Sequence, residues 1–505
     1  MSEPVVLDAA PIGVEEIVRI AGGAGVRLTE VAEARVRASR AVVEEHLARP
    51  EPVYGLNTGL GHMRDERMPD DQLLAYQVAI VRLHDGAFGP PLPTAVVRAA
   101  MAVRLAGIVR GGSGMTLDAA RTYAAMLTAG VHPILHEAGS VGASDLMHMT
   151  AIAMVAIGEG VAEFEGDQLP GREAMRRAGI PTITLLPKEG LAAISANGVS
   201  VGHGALVVAR AARVAAAADL VAATTMEALG ANPSIIDPAV AAAKPVGGQI
   251  DAAAHLRRLL RDSAILDADA PHSVQDPLSV RVVPQVHGAF RELGAFAHEA
   301  VDAELAAMDD NPLVVVDEGR MISNGNFHPM LMALAFDALR PAIAHVGQLS
   351  DRRMNQLWTR LLSGASMESI SGYASQPGTG FLSRYAAATR FAELRQLAGP
   401  ATLDIGALDL GVEDHATAAP LTVRRTEQAL DLLEAILLTE LLTSRDCIAM
   451  LGRTERLGSG VAAALAAIDR ACAGVGPVAV VADVHAALLP LLTTTILEAA
   501  DRVSR

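Results

Sequence analysis

Four short stretches of this chain gather the residue types that chemistry needs. Gly139-Ser140-Val141-Gly142-Ala143-Ser144-Asp145-Leu146 sets hydroxyls and a carboxylate on a glycine-punctuated turn. Taken alone, it reads as a loop in which Ser144 or Asp145 caps the following helix. A phosphate cradle would need a Gly-Lys-Ser/Thr ending, and none follows. In Val274-Gln275-Asp276-Pro277-Leu278-Ser279-Val280-Arg281, followed by Pro284-Gln285-Val286-His287-Gly288, Gln275 and Arg281 flank a proline turn and can point into one pocket. The planar fork of arginine suits a substrate carboxylate; capping a helix end or pairing with a surface acid is the alternative. Asp310-Asn311-Pro312-Leu313 and Asn324-Gly325-Asn326-Phe327-His328 are amide-rich turns, suited to tight backbone geometry near a ligand or to structure alone. Glu413-Asp414-His415 sets two acids beside an imidazole, but no second histidine stands at ligand spacing, so no metal is expected.

The elements that must position these stretches are mainly helices. Residues 29–49, 72–83 and 94–129 carry apolar residues at three-to-four spacing. Between the first two lies Tyr54-Gly55-Leu56-Asn57-Thr58-Gly59-Leu60-Gly61, too glycine-rich for helix and expected to be a mobile loop. Turn-rich His132 to Gly142 leads into an apolar segment ending near Ile157. Long helices are predicted over 204–229, 284–308, 328–364, 380–397 and 421–450, with shorter ones after 459. Strand signals are short, as at Leu313-Val314-Val315-Val316. The expectation is a mainly α protein, with an N-terminal lobe over 1–200 and an elongated long-helix bundle over 201–505.

Composition bounds the function. The chain has 505 residues, 51% hydrophobic and 19% charged, with aromatics at only 3%. Its apolar content is therefore alanine, valine and leucine, which suits close-packed helices better than a β-sandwich. A mean hydropathy of +0.31 points to apolar surface covered by other copies of the chain. The net charge of −16 argues against nucleic acid, which needs clustered lysine and arginine. The longest uncharged stretch, Gly190 to Ala209, is broken by polar residues and glycines, so no membrane span is expected. Residues 1–20 carry acids and no apolar signal core, and Cys447 and Cys472 are too few for a disulfide scaffold; the cytoplasm is the expected location.

Order and wording together say more than any one stretch. From about residue 50 to residue 450 the chain resembles the histidine, phenylalanine and tyrosine ammonia-lyase family. The resemblance rests on Tyr54 through Gly59, Gly139 through Ser144, Lys188-Glu189-Gly190-Leu191-Ala192, Gln275-Asp276-Pro277, Ser279, Arg281 and Pro284-Gln285-Val286. It continues through Asp310-Asn311-Pro312-Leu313, Gly325-Asn326-Phe327-His328 and Glu413-Asp414-His415. It implies an ammonia-lyase/fumarase-like helical fold, a homotetramer whose sites draw on several chains, and removal of ammonia from an aromatic α-amino acid to leave an arylacrylate. It implies Tyr54 as catalytic base, Arg281 and Asn311 as carboxylate clamp, Gln275, Leu278 and Phe327 as pocket wall, and Glu413 near the amine or ring. Leu83 and His84 fall where the family reads the ring, and a histidine there resembles the histidine-acting members, favouring an imidazole or another polar ring.

The family's electrophile, 4-methylidene-imidazol-5-one, forms when an Ala-Ser-Gly triad cyclises. Here Ala143-Ser144 is followed directly by Asp145-Leu146, with the family's glycine deleted. The ring would have to come from Ala143-Ser144-Asp145, and a tight turn accepts glycine more easily than aspartate. Leu278 stands where the family has tyrosine, Val412 where it usually has glutamine, and Ser195 where its asparagine arrives, with Asn197 two residues on. Either Ser195 or Asn197 could line the site. Three alternatives to ammonia elimination stay open: a cofactor-free relative releasing trimethylamine from a betaine in the manner of ergothionase, a 2,3-aminomutase, and a non-catalytic paralogue.

Overall fold

Alanine, valine and leucine at helical spacing produce long helices whose small residues allow close approach. The computed structural model describes residues 3–270, 273–363, 383–403, 405–474 and 480–504. The longest helices are Gly198–Leu229, Val283–Leu305, Met330–Leu362 and Ala419–Met450, with Ser383–Leu397 and Ser459–Ala473 shorter. Positions 364 and 380–382, expected to be helical, lie outside the described residues. The helix expected over 94–129 is two, Thr94–Val109 and Leu117–Ala129. The break falls at Gly111-Gly112-Ser113-Gly114, where Gly111 and Gly114 take φ of +88° and +72°, conformations that side chains with a Cβ resist.

The chain divides into two compact units. The first comprises Met1–Ala209, Ala297–Phe336 and Pro400–Arg424. It holds all the described sheets, each small: Val5–Leu7 pairs in parallel with Val26–Leu28, whereas Phe88–Pro91 with His136–Ala138 and Leu313–Val315 with Arg320–Ile322 are antiparallel. A three-stranded sheet orders His132–Pro133, Val161–Phe164 and Asp167–Pro170 antiparallel. Its helices meet almost backbone to backbone. A Cβ on Gly202 would stand 2.7 Å from the Ala99 carbonyl carbon, and one on Gly190 2.6 Å from the Gln77 oxygen. Arg104 and Asp310 form an ion pair at 2.9 Å with side chains 0% and 1% exposed, which fixes the turn that presents Asn311.

The second unit comprises Arg210–Phe296, Asp337–Gly399 and Arg425–Arg505. Its interior holds paired charges, as burial requires. Arg353 donates to both Glu440 oxygens, at 2.6 and 2.9 Å, with both side chains fully buried. Asp219 accepts from His255 Nδ1 at 3.0 Å, His287 Nδ1 at 2.7 Å and Arg291. His287, in the stretch that follows Arg281, is thus a packing residue.

By length and composition, Met330–Leu362 and Val481–Val503 could each cross a membrane. A buried core helix passes the same test; 61% of the apolar window in the first is buried, and the second is interrupted at Thr494 by a non-helical φ of −126° and ψ of −105°.

Candidate active site

The loop carrying Tyr54 is closed by its own hydrogen bonds. Asn57 Oδ1 accepts from Val53 N at 2.7 Å, Asn57 Nδ2 donates to Glu51 O at 3.0 Å, and Met68 N donates to Asn57 O at 2.9 Å. The Tyr54 hydroxyl accepts from Gly61 N at 3.2 Å. Burial pushes the Tyr54 phenol above its usual range; the Gly61 hydrogen bond works the other way, and the Glu413 and Asp409 charges add to the rise. The positive charge of Arg64, on the wall beside it, also works against the rise, in the direction that a tyrosine acting as a base would need.

The loop after Gly139 is pinned on every side. Gly142 takes φ +84°, and a Cβ there would overlap Thr417 Oγ1, whose hydroxyl donates to Gly142 O at 2.7 Å. Ser144 takes φ +60°, rare for a residue with a side chain, and its N donates to Phe327 O at 3.1 Å. Asp145 starts helix Leu146–Ala156 but makes no side-chain cap to it. Its fully buried carboxylate instead holds the start of helix Gly198–Leu229: Oδ2 accepts from Ser200 N at 2.7 Å and Oδ1 from Ser200 Oγ at 2.9 Å. Ser140 Oγ donates to Oδ1 at 2.8 Å. The carboxylate is therefore a cap, as the turn suggested, but for a different helix, where the N-terminal dipole favours it.

Two cavities open on this loop, sharing Tyr54, Gly61, Ala143 and Glu413 as walls. The smaller, about 690 Å³, adds Asn311, Phe327, His328 and His415. Asn311 Oδ1 accepts from Asn324 N at 3.1 Å, which leaves its amide NH₂ to donate to an anion. His328 Nε2 and His415 Nδ1 lie 2.8 Å apart; burial and the second imidazole hold the His328 pKa down. Among the described residues no group of three or more His, Cys, Asp or Glu gathers to hold a metal.

The larger cavity, about 920 Å³, adds Leu83, His84, Met147, Leu408 and Leu421. His84 Nδ1 lies 2.7 Å from Ile80 O. A carbonyl only accepts, so Nδ1 carries the proton, and Nε2 of the neutral ring is an acceptor. Burial raises the Glu413 pKa, with Asp409 adding to it.

The chain thus brings together Tyr54, Leu83, His84, Ala143, Ser144, Asn311, Phe327 and Glu413. Gln275, Leu278 and Arg281 belong to the second unit and line neither cavity; Gln275 is exposed and Leu278 is 60% exposed. Of the two residues left open, Ser195 Oγ lies 3.5 Å from Ser144 Oγ. Asn197 is fully buried, its N donating to Asp309 Oδ2 at 2.8 Å while its side-chain amide has no partner among the described residues. Neither lines either of these two cavities. Sequence reasoning passed over His62 and Asp409, both on the wall of the larger cavity. His62 stands eight positions after Tyr54 in the same loop, and that was the one available signal.

The methylidene-imidazolone ring can be tested against these residues. It requires the amide nitrogen after the serine to bond to the alanine carbonyl carbon and give up its hydrogen. That nitrogen is Asp145 N, which donates to Ala196 O at 2.8 Å. Bonding would strip a buried carbonyl of its partner, at a cost of ~1–3 kcal/mol, and would drag on a side chain held by three hydrogen bonds. Asp145 is anchored through both its main chain and its side chain, and no residue stands between it and Ser144. The segment does not fit the ring.

Comparison with known proteins agrees with this architecture. The family model for aromatic amino acid lyase matches residues 12–470. The chain is 35% identical over 446 residues to a histidine ammonia-lyase of Caldanaerobacter subterraneus subsp. tengcongensis, covering 88% of each chain. Ergothionase from Treponema denticola, an ergothioneine-degrading enzyme, superposes with a TM-score of 0.90 at 25% identity, covering 98% of this chain and 99% of that one. Tyrosine aminomutase from Streptomyces globisporus gives 0.89 at 27% identity, covering 99% and 98%. With the loops, the turns and the long helices in this family's order, the chain belongs to the aromatic amino acid lyases and is a carbon–nitrogen lyase.

Proposed function

We propose that this enzyme eliminates the α-amine of a histidine-like aromatic α-amino acid to give the arylacrylate. The carrying observation is the pair of acceptors on one cavity wall, His84 Nε2 and the Glu413 carboxylate, beside Tyr54. A ring bearing an N–H satisfies such acceptors, and a phenyl ring leaves them unpaired. In the elimination a base takes the β-proton, the C–H electron pair becomes the Cα=Cβ π bond, and the Cα–N pair departs with the amine. Tyr54 is the base, and Asn311 donates to the substrate carboxylate.

Arg281, Gln275 and Leu278 complete the site from a neighbouring copy in a homotetramer. Their place in the second unit and the exposure of Gln275 and Leu278 support this.

A second reading concerns the leaving amine, and Asp145 favours it. Without the ring, ammonia release rests on base and clamp alone, whereas a trimethylammonium group leaves without covalent activation. Leu278 also suits methyl groups better than a hydroxyl would. The relatives named histidine ammonia-lyase support ammonia; the misfit of Ala143-Ser144-Asp145 supports trimethylamine from a betaine. The test offers histidine, tyrosine, phenylalanine and ergothioneine, follows the acrylate by ultraviolet absorbance and identifies the amine. An intact mass taken alongside reads the ring, whose formation removes two waters. Histidine turnover with ammonia supports the first reading, and ergothioneine turnover with trimethylamine at full mass supports the second. Inertness toward all four sinks the assignment, as does turnover with Tyr54→Phe equal to wild type.

A further inference from the structure

We propose that His62 and Asp409 form a two-point clamp that fixes the Tyr54 loop to the hairpin carrying Glu413, making both positioning residues for the elimination. Asp409 spends both carboxylate oxygens on one residue. His62 Nδ1 lies 2.7 Å from Oδ1, and His62 N donates to Oδ2 at 3.0 Å. Gly61 makes the approach possible: it takes φ +54°, and a Cβ there would overlap Asp409 Oδ2. The same glycine's N donates to the Tyr54 hydroxyl. One peptide therefore separates the hydrogen bond on the phenol from the hydrogen bond on Asp409.

The other jaw is equally short. Leu408 N donates to Glu413 O at 2.8 Å and Glu413 N to Leu408 O at 3.3 Å, closing a turn around Asp409. Asp409 and Leu410 sit in that turn at φ +44° and +53°, a left-handed geometry that L residues resist. The turn keeps that geometry while aiming the carboxylate at His62. Tyr54 and Glu413, which both line both cavities, are thereby held in register through Gly61–His62 on one side and Leu408–Asp409 on the other.

The pair does little for the fold. The His62 side chain is 52% exposed and that of Asp409 27%, and ion pairs at such sites contribute little stability. Its effect is geometric, and Nδ1–H is present in both the neutral tautomer that faces Asp409 and the charged ring.

The test compares His62→Ala, His62→Asn and Asp409→Ala in the full-length enzyme. Asparagine places an N–H donor close to where Nδ1 stands but has no second ring nitrogen. Both alanine variants are expected to lower kcat ~100-fold, the effect of a small misplacement of reacting groups, with KM and melting temperature little changed. Amide hydrogen exchange at Gly61 and His62 should quicken in both, and His62→Asn should restore most of the rate and the protection. An asparagine variant as slow as the alanine one would overturn the proposal, since it would make the imidazole an acid or base in its own right. Unchanged exchange in Asp409→Ala would overturn it too. The clamp's relevance rests on the reading of Tyr54 as the base; exchange is read without substrate, so a wild type inert toward every amino acid offered would fail that reading and still decide the clamp.

Discussion

Replacing Asp145 by alanine tests whether this residue is an anchor or a cyclising amide. The carboxylate is fully buried and accepts from Ser200 N, Ser200 Oγ and Ser140 Oγ. Ser140 Oγ also lies 3.1 Å from Ser144 O, so its hydroxyl turns to a ready acceptor when the carboxylate goes. The loss therefore concentrates on Ser200, itself fully buried at the start of helix Gly198–Leu229. An orphaned main-chain N–H there costs ~1–3 kcal/mol, and loss of a buried charge at a helix N-terminus adds about 1 kcal/mol. A local destabilisation of about 3 kcal/mol is expected, which speeds exchange of the amides near Ser200 roughly a hundredfold at 1.4 kcal/mol per decade. Asp145→Asn keeps an acceptor for Ser200 N and should cost about a third as much, some 1 kcal/mol. The assay is amide hydrogen exchange resolved to peptides spanning residues 196–204, with an intact mass of each protein. Equal exchange in wild type and Asp145→Ala would refute the anchoring, and a wild-type mass short by two waters would refute the conclusion drawn about the ring.

Two further outcomes follow from buried acids and from the half-buried Arg281. Burial raises Glu304 to about 7 from 4.5, and burial with the Asp310 charge raises Asp309 to about 6 from 3.8. The folded protein holds protons that the unfolded chain releases, so stability falls as pH rises from about 4 to about 7. Glu304→Gln should flatten that slope in melting temperatures taken across the range, and an unchanged slope would remove Glu304 from the account. Arg281→Lys keeps the charge but loses the fork, and should cost roughly 2–3 kcal/mol in kcat/KM while light scattering still reports a tetramer; unchanged kinetics would make Arg281 structural, and a monomer would leave the site without its second chain.

What the sequence made legible depended on how local each signal was. Helix periodicity located the long helices to within a few residues, except where Gly198–Leu229 begins six residues before the expected Gly204. The split at Gly111–Gly114 was missed because the apolar spacing runs on through it, although the glycines there carry the positive φ. Ser144 or Asp145 was expected to cap the helix that follows; Asp145 makes no side-chain cap there, and its carboxylate serves Ser200, 55 positions away, which no local signal announces. The His62–Asp409 contact joins residues 347 positions apart, which no spacing rule connects. Tyr54, Asn311, Phe327 and Glu413 stood out because they sit in recognisable turns. The chemistry around Tyr54 was not legible: its raised pKa comes from burial and from acids that only the fold brings near it.

The anchoring of Asp145 also sets the direction from which the loop tolerates change. Because that residue is tied to Ala196 and Ser200, the length of the loop is counted backward from it. Gain or loss of one codon just before it falls on Ala143 and Ser144, between this anchor and the Gly142–Thr417 contact, rather than on helices Leu146–Ala156 and Gly198–Leu229. An alteration that would shift the register of a helix or strand is here confined to the few residues that line the cavities. A single in-frame insertion or deletion at this point is therefore a change to the cavity wall and not to the scaffold that carries it.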